Sequence, residues 1–258
     1  MAPVYADHPF PLIKSPEFTN KQNGTKTDIF DHCASEMACV HNLLIRGLNA
    51  IYLQALYIKP ADEKSFVNYI LTFSALLHAH HTGEEVDFFP TVEAMAGEKG
   101  MMEANVEQHH AFHDPLEAFD QYIQAIAAGQ DKYDGKKVVG LIDAFGPALM
   151  QHLADEIPTI QGLRKYGDKM ADLQKKFDEE GEKNMKKVGL KGLSVCLTMM
   201  DLHYEDDTWI NWPPMPAVVN FLCRNVIWWF VRDTAKFGAC DRVGNLKPLY
   251  AVPADKTT

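Results

Sequence analysis

The chain has 258 residues, 47% of them hydrophobic, enough for one large domain or a domain with a sizeable extension around a filled core. A formal net charge of -10, with no long run of Lys and Arg, argues against a nucleic-acid partner and disfavours an anionic membrane surface. Five widely spread cysteines without a CxxC pair argue against a zinc knuckle or a redox dithiol and read as reduced, buried thiols.

Residues 1–27 are polar and proline-rich, which suits an extended arm lying on a surface or left disordered, with little chemistry in it. No basic patch precedes an apolar run there, so the segment does not read as a secretory signal. The longest apolar stretch, residues 217–231, is interrupted by Asn220, Arg224 and Asn225 and falls short of a membrane span. The expectation is a soluble, cytoplasmic protein.

In residues 28–58 the apolar positions Met37, Val40, Leu44, Leu48, Ile51 and Tyr52 recur at helical spacing until Pro60 stops the pattern, and His41 falls on that stripe. A second helix is predicted over residues 62–95, with Ile70, Phe73, Leu76, Leu77, Phe88 and Val92 on its apolar side and a kink at Pro90. A third, over residues 100–128, sets Met102, Val106, Leu116 and Ile123 in register with His109 and His113, and Gly129 supplies its stop. A fourth, over residues 136–166, places Leu141, Ile142, Phe145, Leu149, Ile160 and Leu163 around His152 and Glu156. Four such helices joined by short polar links predict an all-α fold, an antiparallel up-and-down four-helix bundle over residues 28–166.

Residues 167–258 form an extension expected to pack on the bundle. Within it, residues 168–187 read as a charged helix with a solvated face, residues 189–216 as an ordered loop held by aromatic packing, and residues 217–236 as a further helix before an irregular end.

The four bundle helices carry His41, His80 with Glu84, His109 with His113, and His152 with Glu156. Residues at i and i+4 share a helix face, so each pair aims two side chains the same way. Burying unpaired carboxylates among imidazoles is costly, and divalent cations remove that cost by accepting the lone pairs. Seven ligands exceed one tetrahedral zinc and suit two metals bridged by Glu84 and Glu156. Five imidazoles and two carboxylates without thiolate favour iron, ahead of manganese or zinc.

The second helix has two readings, because His81 with Glu85 is also an i, i+4 pair. The stripe Phe73, Leu76, Leu77, His80, Glu84, Phe88 keeps the better spacing and favours the first pair. His81 and Glu85 then become candidates for orienting the ligands or relaying protons. The group Asp201, His203, Glu205, Asp206 and Asp207 lacks a consistent spacing and reads as an exposed acidic loop, and Arg46 reads as an ordinary surface ion-pair partner.

With His41, the run His80-His81-Thr82-Gly83-Glu84-Glu85 leading to Phe88-Phe89-Pro90, the pair His109 and His113, and His152 with Glu156, the chain resembles the hemerythrin-like (HHE cation-binding) family over residues 28–166. Its tail, with Trp212-Pro213-Pro214, Phe237-Gly238-Ala239-Cys240-Asp241 and Pro248-Leu249-Tyr250, is similar to that of fungal members. The resemblance implies a non-haem di-iron centre that engages dioxygen, with His41, His80, Glu84, His109, His113, His152 and Glu156 as iron ligands. Oxygen-carrying members place an aspartate five residues beyond the last histidine. Here Glu156 stands four beyond His152 and Ile157 five beyond, which points away from reversible oxygen transport and toward the family's sensors and enzymes.

The reading that follows is a di-iron protein that binds and activates dioxygen, as an oxygen-dependent oxidoreductase acting on a small molecule. The alternative is a dioxygen or iron binding, sensing or storage protein without turnover. The Trp- and Pro-rich extension tilts toward the enzyme because it would wall a substrate pocket, although the same residues would equally serve to pack the last helix on the bundle. No separate catalytic residue and no organic cofactor are indicated.

Overall fold

After a short helix α1 (Pro16–Asn23), four long helical segments frame the molecule, in a computed structural model that describes residues 3–252. They are α2 (Ile29–Gln54), α3 (Glu63–Gly83) running on through a wide turn into α4 (Phe89–Ala96), α5 (Glu103–Ala127) and α6 (Gly135–Gly162). Asp28 opens α2 by accepting from the Phe30 and Asp31 amides, and Asp134 opens α6 by accepting from Lys136 and Lys137. Helix α2 packs on α3 and α6, and α5 packs on α3 and α6, which closes the four-helix bundle. The chain then adds α7 (Leu173–Cys196), α8 (Ala217–Phe221) and α9 (Trp228–Ala235). Helix α7 lies along the edge shared by α2 and α3, and α9 packs on α7 and α3. No helix among the described residues is long and apolar enough to cross a membrane.

The second helix runs from Glu63 to Ala96, close to its expected bounds, but Pro90 itself is not where the helical ladder is interrupted. Instead the preceding residues, Glu84–Phe88, form a π turn in which the Phe89 amide donates to the Glu84 carbonyl five residues back. Pro90, in the first turn of α4, has no amide to offer the ordinary ladder, and the extra residue in the turn lets the adjacent Phe88 and Phe89 both be buried.

The apolar interior falls into two clusters. One gathers Leu44, Leu48, Phe73, Phe119, Phe145 and Leu149, and the other gathers Met37, Phe88, Phe89, Val92, Met102 and Ile160. His41, His80, His81, Glu84, His109, His152 and Glu156 sit between them as a polar layer across the bundle.

The described part of the amino-terminal arm, from residue 3 on, is strapped down. Along α2, Asn42, Arg46 and Asn49 form a polar stripe. Asn49 accepts from the Phe10 amide and donates to the Ala6 and Phe10 carbonyls, and Asn42 pairs with both backbone groups of Ile13. Ser15 caps α1 and its amide donates to Glu205 at 2.7 Å. Two expectations are corrected here. Arg46 is only 2% exposed and bonds Asp7 at 2.8 Å with Asp201 at 3.5 Å, so it ties the arm to the carboxy-terminal extension. The segment from Asp201 to Asp207 is in part a clasp, because Glu205 is buried against Ser15 and Trp209, while His203, Asp206 and Asp207 are exposed as expected.

Helix α7 also runs further than expected. It breaks at Gly189 (φ 70, ψ 167), close to the expected end, and a second helical piece follows up to Cys196 where a loop was expected, held by the buried Leu193, Val195 and Cys196. Beyond α9 the described residues, up to 252, are irregular as expected, with an antiparallel bridge between Cys240 and Leu246.

Gly135 opens α6 hard against the turn that ends α2. A Cβ there would lie 2.1 Å from the Ala55 carbonyl oxygen, a backbone atom that also accepts from the Tyr133 hydroxyl. Gly135→Ala is therefore expected to lower stability by about 2 kcal/mol or more, toward the upper part of the range for overpacked sites. The urea midpoint measures it, and an unchanged midpoint would show that the two elements part freely.

Candidate metal centre

Each bundle segment delivers its polar residues to the layer between the two apolar clusters. His41 from α2, His80 and His81 from α3, Glu84 from the π turn, His109 from α5, and His152 with Glu156 from α6 are all buried. They form two groups of four: His81, Glu84, His109 and His152, and His41, His80, Glu84 and Glu156. Within each group one ligand atom per residue lies within 4.8 Å of the others. Glu84 belongs to both. Its Oε1 is 3.1 Å from His80 Nε2 and its Oε2 is 3.5 Å from His109 Nε2, so the two oxygens of one carboxylate face the two groups.

Six of the seven residues anticipated as ligands meet here, and His113 does not. Its side chain is 67% exposed and pairs with the neighbouring Asp114. The buried face of α5 steps from His109 by three residues to Phe112 and then by four to Leu116, which turns His113 outward. His81 takes the remaining place. The two readings of the second helix are thus divided: both histidines enter the layer, Glu84 joins them, and Glu85 stays outside, where its Oε1 sits 2.6 Å from His109 Nδ1.

The outer nitrogens fix the rings. His41 Nδ1 donates to the Leu153 carbonyl at 2.8 Å, and His109 Nδ1 donates to Glu85. His152 Nδ1 faces Gln108 Oε1 at 3.3 Å, and Gln108 is itself held by Asp155. A ring that donates through Nδ1 presents a bare lone pair at Nε2, so these contacts aim three lone pairs inward. His109 Nε2 and His152 Nε2 then stand 2.9 Å apart with no proton to share. Buried acceptors are orphaned throughout the layer, with both oxygens of Glu84 and of Glu156 lacking a donor. Such an arrangement is costly alone and fits cations that accept those lone pairs.

Burial and the neighbouring imidazoles push the His80 and His81 pKa values well down, and burial takes His152 down to about 2, so the rings stay neutral. Burial, followed by the charge of Glu156, pushes the Glu84 carboxyl well up. In the metal-free protein these shifts have opposite signs. Between the lowered folded values of the three histidines and their ordinary 6.5, the unfolded chain binds protons that the folded chain refuses, so stability falls as pH drops. Glu84 binds its proton more tightly when folded and gains stability as pH drops toward its ordinary 4.5, but within the layer it is one group against four, because burial lowers His109 as well. The urea midpoint of metal-free protein is expected to be lower at about pH 5.5 than at about pH 7.5, and a rise instead would contradict burial of the rings.

A cavity of about 870 Å³ reaches the layer from the side covered by α7. His80 and Glu84 form its inner end, and Trp212, Pro213 and Pro214 lie on its lining. The extension thus walls a space beside the centre, one of the two roles anticipated for its aromatic residues. Among the other tryptophans, Trp209 bonds Glu205, while Trp228 and Trp229 pack on each other.

Comparison with known proteins agrees with this geometry. Residues 35–160 match the hemerythrin HHE cation binding domain. The chain is 31% identical over 254 residues to the dimeric xanthone biosynthesis cluster protein R11 of Cryptosporiopsis sp. (strain 8999), covering 96% of this chain and 93% of that protein. No solved structure matches the chain. With its bundle, its two His/Glu groups and a relative similar along nearly its whole length, the chain belongs to the hemerythrin HHE cation-binding family.

Proposed function

We propose that the protein holds two iron ions in the buried layer and binds dioxygen there, as a dioxygen- or iron-binding and sensing protein. The observation that carries this reading is Glu84, one carboxylate shared by two buried His/Glu groups whose lone pairs have no donors. His81, His109 and His152 would hold one ion and His41, His80 and Glu156 the other, with Glu84 between them. The absence of thiolate favours iron over zinc, and manganese shares the same ligand preference. Bound ferrous iron would supply the electrons that dioxygen binding requires. The chain's own residues keep His80, His81 and His152 neutral by burial and orient His41, His109 and His152 through Leu153, Glu85 and Gln108.

Anaerobic loading followed by air tests the reading. Two iron ions per chain and a visible absorption change on exposure to air are expected, and a chain that takes up no iron sinks it. His81→Ala is expected to lower iron content, while His113→Ala leaves it at the wild-type level. The reverse pattern would restore His113 as a ligand.

A second reading, an oxygen-dependent oxidoreductase acting on a small molecule, is favoured by one observation, the cavity that ends on His80 and Glu84. The name of the Cryptosporiopsis relative, which places that protein in a biosynthesis cluster, supports the same direction. Repeated oxygen consumption in the presence of a substrate would separate turnover from binding alone.

A further inference from the structure

The cavity beside the centre has a definite chemical character. At about 870 Å³ it falls within the ~300–1,000 Å³ usual for small-molecule sites. Phe88, Phe177 and Trp212 present aromatic surface, and Met37 and Met185 add thioethers that adapt to the face of a ring. Glu36, Asp178, Glu179 and Glu182 also belong to the lining, against a single lysine, Lys175. In a chain of net charge -10, that lining repels anions.

One polar group is left waiting. Glu180, on α7, accepts from Asn184 Nδ2 at 2.8 Å through Oε1, while its Oε2 is buried and has no partner. Glu180 comes this close to the helix that carries Glu84 because residue 83 is glycine. A Cβ on Gly83 would lie 1.9 Å from Glu180 Oε1 and 2.7 Å from Asn184 Nδ2. A buried acceptor without a donor in an apolar space is matched by a hydroxyl.

We propose that this cavity binds an uncharged, flat organic molecule bearing a hydroxyl group, with its rings against α7 and Trp212 and its hydroxyl donating to Glu180 next to Glu84. The proposal deepens the second reading above and rests on it for the fate of the ligand, but binding itself needs only the cavity. An anion is turned away by the exposed Asp178, Glu179 and Glu182, and an ammonium passes them but gives up its water among Phe88, Phe177, Met37 and Met185, whereas a neutral hydroxyl loses little. Glu180 and Asn184 are positioning residues for that ligand.

Calorimetric titration of zinc-loaded, redox-silent protein tests this with three probes of one size: 2-naphthol, 2-naphthoate and 2-naphthylmethylammonium. Binding of 2-naphthol is expected at one site per chain, at least about tenfold tighter than either charged probe. Glu180→Leu should weaken it about tenfold, the loss of one hydrogen bond to a charged acceptor. Val188→Trp and Leu76→Trp, which fill the cavity from α7 and from α3, should each abolish it while zinc content stays unchanged. Absence of 2-naphthol binding in protein that holds both ions overturns the cavity proposal and leaves the metal centre intact. So does equal or tighter binding of a charged probe, or unchanged binding in both tryptophan variants. Expected 2-naphthol binding in protein that holds no metal supports the cavity and removes the metal centre instead.

Discussion

Glu84→Ala is expected to empty both cation positions together. Each of the two groups contains this one carboxylate, with its Oε1 toward His80 and its Oε2 toward His109, so a single truncation takes a ligand from each. Losing an outer hydrogen-bond partner of a ligand already costs ~10–100-fold in metal affinity, and losing a shared ligand should exceed ~100-fold at both positions. His41→Ala, which touches one group only, should leave the other ion in place. Metal analysis after equilibrium dialysis separates the cases. Retention of one ion at wild-type affinity in Glu84→Ala would show that the two groups are independent and that the carboxylate does not bridge.

Arg46→Ala is expected to be the most destabilising of the substitutions away from the centre, by ~3–5 kcal/mol, the range for breaking a buried ion pair from one side. The guanidinium is 2% exposed, bonds Asp7 at 2.8 Å and Asp201 at 3.5 Å, and lies 4.8 Å from the centre of the Tyr204 ring. Truncation strands Asp201, whose side chain is only 10% exposed, and opens a void where the arm, α2 and the extension meet. Arg46→Lys should recover only part of the loss, because an ammonium cannot reach both carboxylates in the plane of a fork. Chemical denaturation with metal content monitored in parallel is the measurement. A change below about 1 kcal/mol would place Arg46 among ordinary surface ion pairs, whose contribution is of that size.

Much of the centre was legible because metal ligation leaves a periodic trace. His80 and Glu84 share one helix face, as do His152 and Glu156, and burial among apolar residues gave those pairs their meaning. The two details that escaped are both matters of helical phase. At His109 the neighbours three and four residues on lie on nearly the same face, and only packing against α3 and α6 decides that Phe112 goes in and His113 goes out. His80 and His81 are adjacent on α3 and both rings are buried beside Glu84, and Pro90 signalled a disturbance in the turn that follows without revealing its form. The arm escaped for another reason. Asn42, Arg46 and Asn49 look like ordinary polar residues on an outer helix face, and nothing in their spacing says that a distant segment will lie across them. The bundle itself follows from long apolar stripes, whereas the course of the extension depends on contacts remote in the chain.

The strap along α2 has an evolutionary corollary. Asn42 and Asn49 engage carbonyl and amide groups of residues 6–13, which every amino acid except proline supplies in full. Side chains along that stretch are therefore free to drift among descendants, apart from Ala6, sealed in the core, Asp7, which holds Arg46, and Phe10, Leu12 and Ile13, which pack against the core. Selection should instead fall on the two asparagines, whose exchange would release the whole segment at once.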